Sequence, residues 1–433
     1  MYELFPLATA LMAGLLMTRV FKRMHLKLPD VTSFLLAGVF VGPFLLGRLG
    51  IHGIGFNSLE QVETVSIISD AALGFIAFDI GNEFRMSELK KTGKQALVIG
   101  IIQAVVASLL VDAALIAIWA VAGKNVIPLP AAITLGAIAS ATAPAATLMV
   151  VRQYKANGPL TKLLLPIVAL DDAVGLIVFA VSYGIAQAIQ GGTLSVISVI
   201  INPLLEILCP LILGAVMGIL LSWIEKLFFS NSNRLSMTIA FVLLTISLAS
   251  YEFHLGSELK ISFSSLLVCM MLGTVFCNMS DFSADIMIRT EKWTSPLYTA
   301  FFVISGAELD LRVFRKPAVL MIGIVYILVR SLGKYSGARF SSSLMKCDAN
   351  VRKYLGITLL PQAGVALGMV VTAQGLGEEI GGYIRNIILF SVLIYELVGP
   401  MLTKMALTKA GEIDASGVRN SRGSVAAAGA HRR

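Results

Sequence analysis

Two adjacent aspartates, Asp171 and Asp172, interrupt the apolar segment IVALDDAVGLIVFA at residues 167–180. They fall roughly 18 Å into a predicted helix, near the centre of a bilayer that the helix would cross. A carboxylate at that depth costs about 2.5–3.5 kcal/mol on insertion scales, and two neighbouring carboxylates repel each other. Consecutive helix positions differ by about 100°, so one carboxylate can meet a neighbouring helix while the other faces a cavity. The chemistry that suits such a group is reversible binding of a proton or a cation.

A candidate partner for the pair lies in YILVRSLGKYSGARF, residues 326–340. Arg330 and Lys334 are four positions apart and therefore share a helix face. An ion pair between Lys334 and Asp171 would offset part of the cost of burial, and lysine can lose its proton whereas arginine cannot. Both basic residues are predicted to lie nearer the cytoplasmic end, so side chains that reach outward to the membrane surface remain an alternative.

The composition is that of an integral membrane protein, because 57% of the 433 residues are hydrophobic and only 14% are charged. Apolar stretches long enough to cross a bilayer recur throughout, which predicts an all-α polytopic fold with about thirteen transmembrane helices. The first stretch has no basic leader or cleavage site and is interpreted as a membrane helix. The predicted spans are residues 4–22, 31–47, 65–84, 94–123, 129–153, 159–189, 202–228, 235–252, 260–279, 295–312, 317–343, 350–374 and 384–409.

The distribution of Lys and Arg predicts a topology with the N-terminus outside and the C-terminus in the cytoplasm. One loop opposes this prediction, because it places Arg312, Arg315 and Lys316 outside. Residues 1–409 are predicted to form the membrane domain and residues 410–433 a disordered cytoplasmic tail, with no soluble regulatory domain. The net charge of +8 follows from the basic inner loops and gives no reason to expect nucleic-acid binding.

The two halves of the chain resemble each other, which predicts inverted repeats over residues 4–189 and 235–409 joined by a linker helix at 202–228. FDIGNEFRM resembles FVISGAELDL, SATAPAATL falls opposite LLPQAGVAL, and DAVG falls opposite ELVG. The aligned positions are Gly81 with Gly306, Glu83 with Glu308, Pro144 with Pro361, and Asp172 with Glu396. Such repeats imply a transporter whose site opens alternately to either side of the membrane.

Pro144 and Pro361, the latter followed by Gln362, predict two crossing helices that break in mid-membrane. A simple kink at either proline remains an alternative. A solute symporter or a channel could use the same scaffold, although a symporter would need a roomier polar cavity. Enzymatic catalysis is not expected, because the four histidines are scattered and no nucleophile motif appears.

The aspartate pair, the two proline breaks, G-x-E-F at residues 81–84, R-x-x-G-K at 330–334 and YELVGP at 395–400 together resemble the monovalent cation:proton antiporter superfamily. Its second branch, the bacterial NapA-like sodium/proton antiporters, is the most similar. The resemblance implies a homodimeric elevator-type exchanger in the bacterial plasma membrane. It also implies that Asp172 binds the cation, that Asp171 pairs with Lys334, and that Thr142 supplies an oxygen on the cation side.

The expected activity is therefore electrogenic exchange of Na⁺ or Li⁺ for protons without a cofactor, and K⁺/H⁺ exchange is the alternative. Many members have an acidic residue in the first break where this chain has Ala143, which leaves the preferred cation open. Glu396, Glu83 and Glu308 are possible additional acids. Asp79, in FIAFDIG, is a further one that could be a second protonatable site or lie at the membrane interface.

Overall fold

The described part of the chain forms a bundle of α-helices with one short hairpin. A computed structural model describes residues 4–24, 28–50, 55–82, 84–123, 126–190, 201–251, 253–255, 259–261, 263–309 and 317–413. Helices occur in all thirteen predicted spans, and seven described helices are long and apolar enough to cross a membrane. The helices are α1 (Leu4–Arg23), α2 (Asp30–Val41), α3 (Leu59–Thr64), α4 (Ser66–Asn82), α5 (Met86–Ala122), α6 (Leu129–Ile138), α7 (Pro144–Gln153), α8 (Pro159–Ile189), α9 (Asn202–Ile224), α10 (Asn231–Ala249), α11 (Ser265–Met279), α12 (Ser283–Glu308), α13 (Pro317–Leu344), α14 (Ala349–Thr358), α15 (Gly364–Ala373) and α16 (Glu378–Lys409).

Several helix ends differ from the predicted ones. Helices α5 and α12 begin at Met86 and Ser283, well before the predicted 94 and 295, because apolar length sets the membrane crossing and a helix can continue into polar sequence. Helix α2 ends at Val41 because Gly42 is extended before a proline. The all-α fold class is confirmed. The span predicted from 260 begins later, because β1 (Phe253–Leu255) and β2 (Leu259–Ile261) form a short antiparallel hairpin before α11 begins at Ser265.

The helices form two groups by their packing. The crossing group contains α5–α8 and α13–α16, in which α5 packs on α13, α6 and α8, and α16 packs on α13, α14 and α15. The flanking group contains α1–α4 and α9–α12, in which α11 packs on α4 and α9, and α12 packs on α1, α2 and α4. The groups meet more sparsely, chiefly where α2 contacts α7 and α16, α4 contacts α7, and α8 contacts α9. The bundle therefore has two well-packed bodies and a limited junction.

Glycines allow close helix crossings within the flanking group. A Cβ atom on Gly306 of α12 would lie 2.2 Å from the Leu35 carbonyl oxygen of α2, and one on Gly81 of α4 would lie 2.1 Å from the Met270 oxygen of α11. Small residues let helix backbones approach closely where apolar burial gives little net attraction in a bilayer. Gly81 and Gly306, which align when the two halves of the chain are compared, thus each allow a close crossing between two helices.

Replacing Gly306 with alanine is expected to lower the thermal stability of the protein in detergent. The added methyl group would overpack the α2–α12 crossing, at a cost of about 1–3 kcal/mol. Gly382→Ala in α16 is the matched control, because a Cβ there meets nothing within 4 Å, and alanine in a helix is favoured over glycine by about 1 kcal/mol. Equal melting temperatures for Gly306→Ala and the parent protein would show that the crossing can relax.

Candidate functional site

Two broken helices cross inside the crossing group, as predicted. Residues 139–143 separate α6 from α7, and residues 359–363 separate α14 from α15. The Ala143 N–H donates to the Pro361 carbonyl over 2.8 Å, which ties one break to the other. Pro144 begins α7, where its missing N–H is harmless, whereas Pro361 lies in the middle of its break. Four helix ends consequently meet at one buried place.

Arg330 of α13 joins the two breaks. Its guanidinium is fully buried, stacks 4.5 Å from the centroid of the Tyr395 ring, and donates to the carbonyl oxygens of Ala139 (3.0 Å), Leu360 (2.8 Å) and Ala141 (2.6 Å). These carbonyls have lost the partners that a continuous helix would supply, and a cation at a helix C-terminus is electrostatically favoured. Arg330 therefore stabilises the crossing itself. Its guanidinium is buried in the protein and does not extend outward as the alternative from sequence would require.

Lys334, one turn further along α13, forms a buried ion pair with Asp171 of α8. The ammonium nitrogen lies 3.1 Å from Asp171 Oδ2, and both side chains have no solvent exposure. Lys334 also donates to the Ser140 carbonyl and, over 2.9 Å, to the Thr142 hydroxyl. That hydroxyl donates to Asp171 Oδ2 over 2.6 Å, and the Gln103 amide of α5 donates to Asp171 Oδ1. Every oxygen of Asp171 therefore has a donor.

Asp172 has the opposite environment. Its side chain is 2% exposed, and neither carboxylate oxygen has a hydrogen-bond partner among the described residues. A buried carboxylate without donors is costly, because nothing replaces the water that it loses. Groups that could offset this cost are a bound proton or a cation with an incomplete hydration shell. The geometry of the helix thus separates two adjacent carboxylates into a paired one and an unpaired one.

The additional acids suggested by sequence are distributed around this centre. Glu396 is buried on α16, one turn from Gly399, which packs against Pro361 in the second break. Glu308 ends α12 and is exposed. Glu83 lies outside the described residues, as does the loop with Arg312. Of the two described acids, Glu396 and Glu308, it is Glu396 that lies on a helix in contact with the second break.

Asp79 lies near the end of α4, and its side chain is buried. Arg152 of α7 approaches Asp79 Oδ2 to 2.6 Å, and the Tyr298 hydroxyl of α12 donates to the same oxygen. The second oxygen, Oδ1, has no partner among the described residues. Asp79 is therefore part of a separate polar cluster at the junction of the two helix groups.

Two side chains at the site were not identified from sequence. Gln103 is one of several polar residues in the apolar part of α5, with Ser108 and Asp112. Only the packing of α5 on α8 shows that Gln103 donates to Asp171. Tyr326 lies one turn before Arg330, and its hydroxyl accepts a 3.0 Å hydrogen bond from the Gln362 amide, which also donates to Ile138 O. A polar residue in an apolar helix was the available signal for Gln103.

Crossed discontinuous helices whose ends meet beside buried acids are typical of secondary transporters of the inverted-repeat class. The chain belongs to the family of transmembrane sodium/hydrogen exchangers, whose family model matches residues 7–409. It is therefore a multi-pass membrane transporter, a cation:proton antiporter.

Individual relatives are distant and differ in their cations. The chain is 24% identical to the high-affinity Na⁺/H⁺ antiporter NhaS3 of Synechocystis sp., over 79% of this chain and 77% of the relative. It is 22% identical to the K⁺/H⁺ antiporter subunit KhtU of Bacillus subtilis, over 88% of each protein. Its fold is similar to that of the sodium proton antiporter MjNhaP1 from Methanocaldococcus jannaschii, with a TM-score of 0.69 at 17% identity over 94% of this chain and 97% of that one.

Proposed function

We propose that the protein exchanges Na⁺ or Li⁺ for protons, with Asp172 as the group that carries either ligand. The observation on which this depends is the pair of Asp172 oxygens, which are buried without a hydrogen-bond donor among the described residues. A carboxylate is a good ligand for a hard cation, and a proton neutralises it equally well. Because one site cannot hold both at once, competition between the two ligands couples their movements.

Lys334 would determine how many protons are exchanged for each cation. When a cation binds, the positive charge beside Lys334 favours loss of the lysine proton, since like charges in a desolvated site repel. A buried ammonium can release its proton in this way, whereas a guanidinium cannot. Release of one proton from Asp172 and one from Lys334 for each sodium ion would move net charge across the membrane. The Asp171–Lys334 ion pair supports this electrogenic exchange.

An elevator movement would provide alternating access. The crossing group contains both broken helices and the aspartate pair, and it meets the flanking group through a limited set of contacts. Movement of one body against the other could expose Asp172 first to one side and then to the other. In this proposal the flanking group forms the contact of a homodimer in a bacterial plasma membrane, with the N-terminus outside and the C-terminus in the cytoplasm.

Potassium/proton exchange is the second candidate. It is favoured by the similarity to KhtU and by Ala143, which contributes no side-chain oxygen in the first break. Ligand number and cavity size set the selectivity of a cation site. A site with fewer charged ligands around Asp172 would therefore discriminate less strongly against K⁺, which is larger than Na⁺. The two candidates share the same acid and differ only in the selected cation.

Antiport in proteoliposomes tests the proposal. A pH-sensitive dye should report proton movement on addition of Na⁺ or Li⁺, and K⁺ should require a concentration at least tenfold higher. The cation concentration for half-maximal exchange should rise as pH falls, because protons compete for the same carboxylate. Equal responses to Na⁺ and K⁺ would favour the second candidate. No proton movement with any of the three cations would contradict both.

A further inference from the structure

Three consecutive residues at the end of α7 connect the crossing group to the flanking group. Arg152 pairs with Asp79 of α4 over 2.6 Å. The Gln153 side-chain oxygen accepts the backbone N–H of Asp30, at the start of α2, over 2.9 Å. The Tyr154 hydroxyl donates to the Leu28 carbonyl over 3.4 Å. The junction of the two groups is thus held at this face by polar contacts from one short segment of the crossing group.

The Arg152 contact is the strongest of the three. Asp79 is 1% exposed and Arg152 is 18% exposed, so the pair lies in a largely desolvated position where charge attraction is weakly screened. Tyr298 of α12 adds a second donor to the same carboxylate oxygen. Helix α12 thus orients the carboxylate by which α4 holds the end of α7, and the other end of α7 forms the first break.

A cavity of about 260 Å³ lies beside this cluster, between α2, α7 and α12. Its lining includes Arg152, Tyr298, Asp30 and Glu291. It is large enough to hold several water molecules, since one water occupies about 30 Å³ in the liquid. Water in this cavity can hydrate Arg152 when it leaves Asp79, which would lower the cost of separating the pair.

We infer that Arg152, Gln153 and Tyr154 form a latch between the two helix groups, and that this latch must open and close once in each transport cycle. The inference rests on the proposed elevator movement, because only relative motion of the groups would require these contacts to part. Asp79, which has no place in ion exchange at Asp172, then acts as the flanking half of the latch. In this role Asp79 holds the crossing group in one of the two positions that the group takes relative to the flanking group during transport.

Crosslinking tests the latch in the full-length protein. Asp30→Cys combined with Gln153→Cys places two thiols across the junction, away from Asp172. A short bifunctional thiosulfonate reagent should lower sodium-driven antiport at least tenfold, and reduction with dithiothreitol should restore it. Asp30→Cys alone and Gln153→Cys alone, treated in the same way, are the controls for the four native cysteines and should keep their activity. Full antiport in protein that mass spectrometry shows to be crosslinked would overturn the inference.

Hydrogen exchange gives a second readout that does not depend on transport. Asp79→Asn should accelerate amide exchange in residues 150–156 at least tenfold, because the segment loses its charged partner. Asp285→Asn is the matched control, since Asp285 forms an exposed ion pair with Arg289 on the same helix group. Unchanged exchange in Asp79→Asn would show that the pair does not hold the segment. If the parent protein exchanges no cation for protons, the proposed function fails while this measurement still decides whether the latch exists.

Discussion

Asp172→Asn is expected to abolish cation-driven proton exchange, with a loss of at least a hundredfold in the initial rate. Asparagine keeps the shape of the side chain but cannot carry a proton between its charged and neutral forms. It also offers a neutral oxygen in place of a carboxylate, so binding of a cation is no longer linked to proton release. The measurement is dye-reported antiport in proteoliposomes with Na⁺ and Li⁺.

Loss of folding would be a trivial cause of inactivity, and the structure predicts that it does not occur. The Asp172 oxygens have no partners among the described residues, so the substitution breaks no hydrogen bond and removes a costly buried charge. The melting temperature of Asp172→Asn should equal or exceed that of the parent. Asp285→Asn, an exposed substitution of the same kind, should leave antiport unchanged.

Stabilisation by sodium gives an independent test of the same residue. A ligand that binds only the folded protein stabilises it by about 2.7 kcal/mol at one hundred times its dissociation constant. The parent should therefore melt at a higher temperature as NaCl replaces choline chloride at constant ionic strength, and Asp172→Asn should not. Exchange that persists in Asp172→Asn would place the transported cation elsewhere in the protein.

Lys334→Ala is expected to remove the dependence of antiport on membrane potential and to reduce stability. Asp171 would lose its ion-pair partner and keep Thr142 and Gln103 as donors. Removing one partner of a buried ion pair costs about 3–5 kcal/mol, because the remaining charge is uncompensated. Antiport driven by a potassium diffusion potential with valinomycin measures the electrical coupling, and the melting temperature measures the stability.

Lys334→Arg separates the two roles of the lysine. Arginine preserves a positive charge beside Asp171, so more of the stability should be retained than in Lys334→Ala. It does not release a proton, so electrogenic exchange should still be lost. Lys162→Ala, which removes an exposed lysine near the start of the same helix as Asp171, is the control. If both Lys334 variants depend on membrane potential as the parent does, Lys334 supplies none of the exchanged protons.

The membrane class, the approximate helix positions and the two breaks could be predicted because their causes are local. A bilayer requires about twenty apolar residues for each helix, and proline disrupts the helix in which it occurs. The polar extensions of α5 and α12 were not predicted, because hydropathy identifies the part of a helix that lies in the membrane and not the full length of the helix. The short hairpin of β1 and β2 was missed because its apolar residues continue those of α11.

The sequence by itself also determined that Asp171 and Asp172 face different surroundings, because the helical repeat rotates neighbouring side chains by about 100°. Only the tertiary structure decided how completely each is partnered. Asp171 acquires donors from α5, α13 and the first break, while Asp172 acquires none among the described residues. The same long-range packing brings Arg152 to Asp79. Such contacts join residues far apart in the chain, and their geometry depends on how whole helices pack rather than on any local pattern.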